Sequence, residues 1–301
     1  MKKLIVTGFL FSTVIVTGFI ACQTSSKSAS SRFFKFNLEK GKEYHYEIVW
    51  DMKQNMMEQE SNISFGSLYA MNVTEDDGKI KTMTGTYRRF NMSMSLMGME
   101  INIDTDTPLP QAAEDIKDKN PIAMMKRIFS GIVGKSFSMK VDHEGNVMEV
   151  SGFKEIFESM LNNIDMNEQQ KAEGKAALED QFNEQGVKDQ FAQLFTIFPN
   201  KEIKTGDTWE RSYTTGGKMP GKYTTHYTVK GIEGDHVTLA AETKIESNGD
   251  IKIKGSQTGD IIADIKSGMI VNAQYEQDIE TTVMGMAIKM VGKGKVKGSL
   301  K

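Results

Sequence analysis

Methionine is the residue type in this sequence with the least ordinary chemistry. There are 21 methionines. Met92, Met94, Met97, Met99, Met284 and Met286 fall in Met-x-Met pairs. Thioethers are soft ligands suited to Cu(I), so these six form a candidate metal set. In RFNMSMSLMGMEINI they also occupy the apolar phase of an alternating pattern, which flips near Gly98 as a turn or bulge would make it. Softness without geometry does not select a metal, so packing is the preferred reading and copper the alternative. Methionine also suits an adaptable apolar cavity. His45, His143, His226 and His236 are scattered and show no i, i+4 zinc pairing. Glu75, Asp76 and Asp77 could hold a cation, but EDDGK is also hairpin-turn chemistry and calcium-loop spacing is missing. SGIVGKS, residues 130–136, lacks the spacing of a phosphate loop. No Gly-x-Ser-x-Gly elbow occurs. These residues point away from an enzyme, and no cofactor is expected.

The single cysteine, Cys22, stands between an oily run and a serine-rich one. Lys2 and Lys3 precede the uncharged stretch Leu4 to Ile20, and Ala21 is small. That is the layout of a secretory signal, expected over residues 1–21. A membrane span is the weaker reading, because the run is short and no basic flank follows it. Phe19-Ile20-Ala21-Cys22 resembles a lipobox, the cleavage motif of bacterial lipoproteins, with Phe19 where that motif prefers Leu. The resemblance implies cleavage before Cys22 and acylation of its thiol and new amino group. A free or buried thiol is the alternative. The flank Gln23 to Ser31 is too polar to pack and reads as a tether, so 22–35 is expected to be acylated cysteine plus linker. Each buried methylene adds ~0.8 kcal/mol, so two or three acyl chains would hold the protein durably on a membrane. No thiol then remains for disulfides, and the chain folds by its core alone. The formal charge is −3 and becomes more acidic without Lys2 and Lys3, so nucleic acid is not an expected partner.

Most of the remaining chain reads as strands. Tyr44, Tyr46, Ile48 and Trp50 alternate with polar positions, as do Tyr223, Thr225, Tyr227 and Val229. EDDGK, DHEGN, GGKMPG, EGDH and KSG supply the turns. The middle switches period. Ile122, Met125, Ile128, Phe129 and Ile132 have helical spacing behind the N1 proline Pro121. Phe153, Ile156, Phe157, Met160, Leu161 and Ile164 form one stripe, with Ser151 as candidate cap. Asp165 to Glu168 resembles a capping box, and Phe191, Leu194, Phe195 and Phe198 make a further apolar face before Pro199. Similar segments near both ends, LMGMEINI and VMGMAIKM among them, hint at duplication. The expected class is therefore mainly β with a helical middle, α+β. Curved antiparallel sheets, in two related β halves, would pack on helices. The expected parts are an N-terminal β half at 36–150 with short helices near 111–132, a helical segment at 151–199 and a C-terminal β half at 200–301. Lys293, Lys295 and Lys297 fall on one strand face and serve either a charged partner or the protection of an edge.

LEKGKEYHYEI, GKSFSMKVDHEGNVMEVSGF, FPNKEIKTGDTW and the Met-rich hairpins together resemble DUF6263, a bacterial family of unknown function. The resemblance implies a Bacteroidota-type lipoprotein and no known reaction. The expected location is the cell envelope, on the outer membrane facing the periplasm. The first functional expectation is a non-enzymatic module that holds an apolar ligand or lipid. The alternative is a structural or interaction lipoprotein with an unidentified protein partner and no small ligand.

Overall fold

The computed structural model describes residues 31–56, 59–96, 99–108, 121–181, 184–216, 220–247, 252–283 and 286–301. Cys22, Met97 and Met284 lie outside them, as do positions 111–120 of the expected short helices. Ser31 to Lys301 form one compact unit. Its first part contains β1 (Arg32–Phe34), β2 (Glu43–Met56), β3 (Gln59–Asp76), β4 (Ile80–Leu96) and β5 (Met99–Asp104). Then come α1 (Pro121–Ser130), β6 (Ser136–Asp142), β7 (Val147–Ser151), α2 (Phe153–Leu161), α3 (Glu168–Gln181) and α4 (Glu184–Phe195). The last part is β8 (Lys201–Ile203), β9 (Thr208–Thr214), β10 (Gly221–Glu233), β11 (His236–Ser247), β12 (Lys252–Asp264), β13 (Ile270–Val283) and β14 (Met286–Leu300).

Twelve of these strands make one antiparallel sheet, in the order β7-β6-β4-β3-β2-β14-β13-β12-β11-β10-β9, with β5 on the outer part of β4. β1 and β8 pair separately. This overturns the α+β expectation. Two β halves around a helical middle would leave β2 and β14 in different sheets, yet β14 hydrogen-bonds β2 from Lys289↔Asn55 to Leu300↔Tyr44. The middle is also broken by β6 and β7, which belong to the same sheet. The protein is mainly β, and its four described helices are small inserts. Helical stripes mark where helices start and stop, but backbone pairing between distant strands decides the class. Among the described residues no helix is long and apolar enough to cross a membrane.

The sheet curls until its two edges approach each other. α4 packs on β7 at one edge and on β9 at the other. Arg211 of β9 donates to Glu144 Oε2 at 3.2 Å and to Asn146 Oδ1 at 3.2 Å, both in the β6–β7 turn. Period-two patterning gives the curled sheet an apolar concave face and a polar convex one. One row of partners shows how: Met92, Phe65, Trp50, Gly294, Tyr275, Gly259, Ala241, Tyr227 and Trp209 lie side by side from β4 to β9. The glycines are there for their lack of a side chain. A Cβ on Gly294 would lie 2.8 Å from the Trp50 ring, and one on Gly259 would lie 2.6 Å from the Tyr275 ring. The two rings stack across Gly294 at 6.2 Å between centroids.

Helix ends follow local chemistry. The box at the start of α3 sits two residues later than Asp165–Glu168. Asn167 Oδ1 accepts from the Gln170 N–H at 2.9 Å, and Gln170 Oε1 accepts from the Asn167 N–H at 3.0 Å. Gly152, not Ser151, caps α2, with φ 103°. α2 buries Phe153, Ile156, Phe157 and Met160 in the main core, as its spacing requires, and turns Leu161 toward Gly174 of α3.

Candidate functional site

Between the concave face and helices α1, α2 and α4 is a cavity of about 420 Å³. That lies within the range of small-molecule sites. One wall is aromatic and aliphatic. β2 and β3 supply Trp50 and Phe65, β4 supplies Phe90, α1 supplies Phe129, and α2 supplies Phe153, Ile156 and Phe157. Phe90 and Phe129 stack at 4.6 Å between centroids, which fixes that corner. Each side chain points inward because it falls on the inner phase of its strand or on the apolar stripe of its helix.

The other wall is polar. α4 presents Asp189, Gln190 and Gln193, which share one face by their i, i+3 and i+4 spacing. Tyr69 donates its hydroxyl to Gln190 Oε1 at 3.1 Å. Gln193 Nε2 is buried and has no hydrogen-bond partner among the described residues. Asp189 accepts from Gln185 Nε2 at 2.6 Å and from the Gly216 N–H at 2.9 Å. Burial pushes its carboxyl above the ordinary carboxylate range, against those two hydrogen bonds and the Lys188 charge, which pull it down. Tyr213 and Tyr223 stack at 4.9 Å beside it, and burial pushes both phenols up, so they stay neutral donors. Among the described residues lining the cavity, Asp189 alone carries a formal charge.

The Asp189 shift has a testable sign. A carboxyl with a raised folded-state pKa binds its proton more tightly in the fold than in the unfolded chain. Its contribution is most favourable below the ordinary carboxylate range and is lost as pH rises through the raised value. Asp189→Asn is expected to abolish this part of the pH dependence. Urea unfolding of both proteins from acid to neutral pH checks it: the stability gap should shift in favour of the variant as pH rises.

The other candidate residues fall elsewhere. Met92 and Met94 lie on the inner face of β4, and Met92 packs against the core. Met99 opens β5 opposite Leu96, while Met286 opens β14 opposite Val283. β4 and β14 are separated by β3 and β2, which places Met286 about 14 Å from β4 at ordinary strand spacing. The four described methionines therefore sit as two separate sets. Asp76 and Asp77 hold the β3–β4 turn: Asp76 Oδ1 accepts from the Gly78 N–H, and Asp77 Oδ1 accepts from those of Lys79 and Ile80. Asp76 also pairs with Lys81. Among the described residues no group of three or more His, Cys, Asp or Glu is placed to hold a metal ion. SGIVGKS leads from α1 into strand β6, so no helix follows it to receive a phosphate. Sequence reasoning missed Gln190, Gln193, Gln257 and Gln277. Glutamine has no spacing signature of its own, and only tertiary pairing brings these four to one cavity.

No curated protein matches the chain. The fold resembles a solved structure of lipid–protein interactions in lipovitellin, with a TM-score of 0.52 and 9% identity. That match covers 88% of this chain but 26% of the other, so the chain spans about a quarter of the lipovitellin chain's length. The β domain of the Bordetella autotransporter BrkA matches over 85% of this chain and 98% of its own at 6% identity, with a TM-score of 0.26. A Rh. blastica porin mutant matches over 84% and 99% at 7% identity, with a TM-score of 0.22. Those two scores are too low to define a shared fold. Residues 78–270, well over half of the chain, match the model of the family of unknown function DUF6263. The chain therefore belongs to the DUF6263 family.

Proposed function

We propose that this protein is a non-enzymatic binding module for an apolar or amphiphilic small molecule, lipid included, held at the cell envelope by acyl chains on Cys22. The cavity carries the reading. Trp50, Phe65, Phe90, Phe129, Phe153 and Phe157 pack among the core aromatics and still line a shared space of about 420 Å³. An apolar space of that size and composition is the usual form of a ligand site. The likeness to lipovitellin is one of fold and is compatible with a sheet-lined apolar cavity. The anchor rests on the sequence around Cys22, a lipobox-like tetrapeptide between a signal layout and a polar tether. A diderm envelope and its outer membrane are the part of the proposal that rests on the Bacteroidota-type family resemblance.

Native mass spectrometry of the intact protein, extracted gently from the membrane fraction, tests both parts. The expected spectrum shows a lipid-sized mass that leaves on denaturation and acyl chains that stay. A chain that carries no removable mass, and takes up none when offered apolar compounds, overturns the ligand. It moves the reading to an interaction lipoprotein. A mass with no covalent acyl chains overturns the anchor.

A further inference from the structure

The concave face is mostly apolar, with buried Ser67 and Thr281 among its exceptions, and it carries one polar stripe that ends on β9 at Arg211, which is held by Glu144 and Asn146. Thr225, Thr243, Gln257 and Gln277 are direct cross-strand partners on β10, β11, β12 and β13. All four point inward. Thr225, Thr243 and Gln257 are 5%, 7% and 5% exposed, and Gln277 is half-buried. The two threonine hydroxyls hydrogen-bond each other at 2.9 Å, while the two glutamines line the cavity. The rows on either side are largely apolar. One is Ile245, Gly255, Ile279 and Met290, and the other contains Ala241, Gly259, Tyr275 and Gly294. The same stripe turns apolar on crossing β14, where it continues as Gly292, Met52, Ile63 and Met94. Across the cavity from the sheet, α4 adds Gln190 and Gln193, the latter with its buried, unpartnered amide nitrogen. A buried polar group without a partner costs stability, so the unpartnered Gln193 nitrogen, facing the cavity that Gln257 and Gln277 also line, calls for a ligand that hydrogen-bonds.

On the reading of the cavity as a ligand site, we infer that the ligand is an amphiphile with an uncharged, hydrogen-bonding head group. The head sits between Gln257 and Gln277 on the sheet and Gln193 on α4, and the tail lies among Trp50, Phe65 and Phe90. Amides both donate and accept, so they suit hydroxyls, esters and amides. The cavity has no described lysine or arginine to neutralise a carboxylate or phosphate head, and its one charge, Asp189, repels such groups. Asp189 already accepts from Gln185 and Gly216, which engages it within the protein.

The test is a competition among monolauroylglycerol, laurate and laurylamine, which share one chain and differ in the head. Equal amounts are offered together to the intact protein, and the adducts are counted by native mass spectrometry. The monoacylglycerol adduct is expected to exceed the laurate adduct by about tenfold, the worth of one good hydrogen bond plus one avoided repulsion. Gln257→Leu with Gln277→Leu should lower the monolauroylglycerol adduct and shrink its excess to the smaller part due to Asp189, with the thermal midpoint kept. Gln193→Leu, on the helix side, should do so in part, and it serves should the double variant fail to fold. Laurate equal to or above monolauroylglycerol in the wild type overturns the inference and leaves the apolar cavity standing. Laurylamine in clear excess also overturns it and assigns Asp189 as the counter-charge. No adduct with any of the three overturns the cavity reading itself.

Discussion

Phe137→Ala is expected to lower the unfolding free energy by about 4 kcal/mol, the middle of the range for a buried phenylalanine. Phe137 of β6 is 1% exposed. Its ring meets Tyr69 at 6.0 Å, Tyr87 at 5.7 Å, Phe153 at 5.6 Å and Phe191 at 5.8 Å between centroids. It lies over Gly85, its cross-strand partner, where a Cβ would come within 2.4 Å of the ring. One residue thus ties β3, β4, α2 and α4 together. Truncation leaves a hole beside the cavity with no side chain able to fall into it, so the loss exceeds the transfer free energy alone. Urea denaturation followed by tyrosine and tryptophan fluorescence measures it. A loss below about 1.5 kcal/mol, the level of a tolerated core swap, would show that the aromatic cluster repacks.

Gly145→Ala is expected to cost roughly 3 kcal/mol, combining left-handed strain with overpacking. Gly145 has φ 86°, and a Cβ there would lie 1.6 Å from the Phe195 carbonyl oxygen at the end of α4. The turn cannot retreat without loss. Asp142 Oδ1 accepts from the Glu144 and Asn146 N–H groups at 2.9 Å each, and Arg211 holds Glu144 and Asn146 from the far edge of the sheet. Gly206→Ala is the control, because Gly206 has φ 89° and nothing within 4 Å of its Cβ position. It should lose only the left-handed part, about 1 kcal/mol. Equal losses at the two positions, read from urea midpoints, would mean that the α4 contact gives way.

These two residues also show what a sequence can and cannot carry. The turn DHEGN is readable because Asp and Gly have fixed uses in turns. The strands are readable because Tyr44, Tyr46, Ile48 and Trp50 alternate, and the α2 stripe because Phe153, Phe157 and Met160 recur at helical spacing. Such signals are local. The pairing of Trp50 with Gly294 is not local, and nothing in either segment names the other. That pairing unites what would otherwise be two β halves, so the strands are legible in the sequence while the class is not. The polar stripe was hidden for the same reason. Gln257 and Gln277 are unremarkable in their own strands, KIKGSQTGDIIAD and IVNAQYEQDIETTV. They become a feature only in register, one beside the other and facing the α4 amides.

The β2–β14 seam has a consequence for how the molecule comes into being. β2 is made well over 200 residues before β14, so one long side of β2 waits without that partner while the strands between them are made. Pairing between such distant segments is slow, and an open strand edge invites wrong neighbours. Closing the β2–β14 seam is therefore a late step in assembling the sheet. Any stall before residue 286 would leave the β14 side of β2 unpaired along its length, with only the β3 side satisfied.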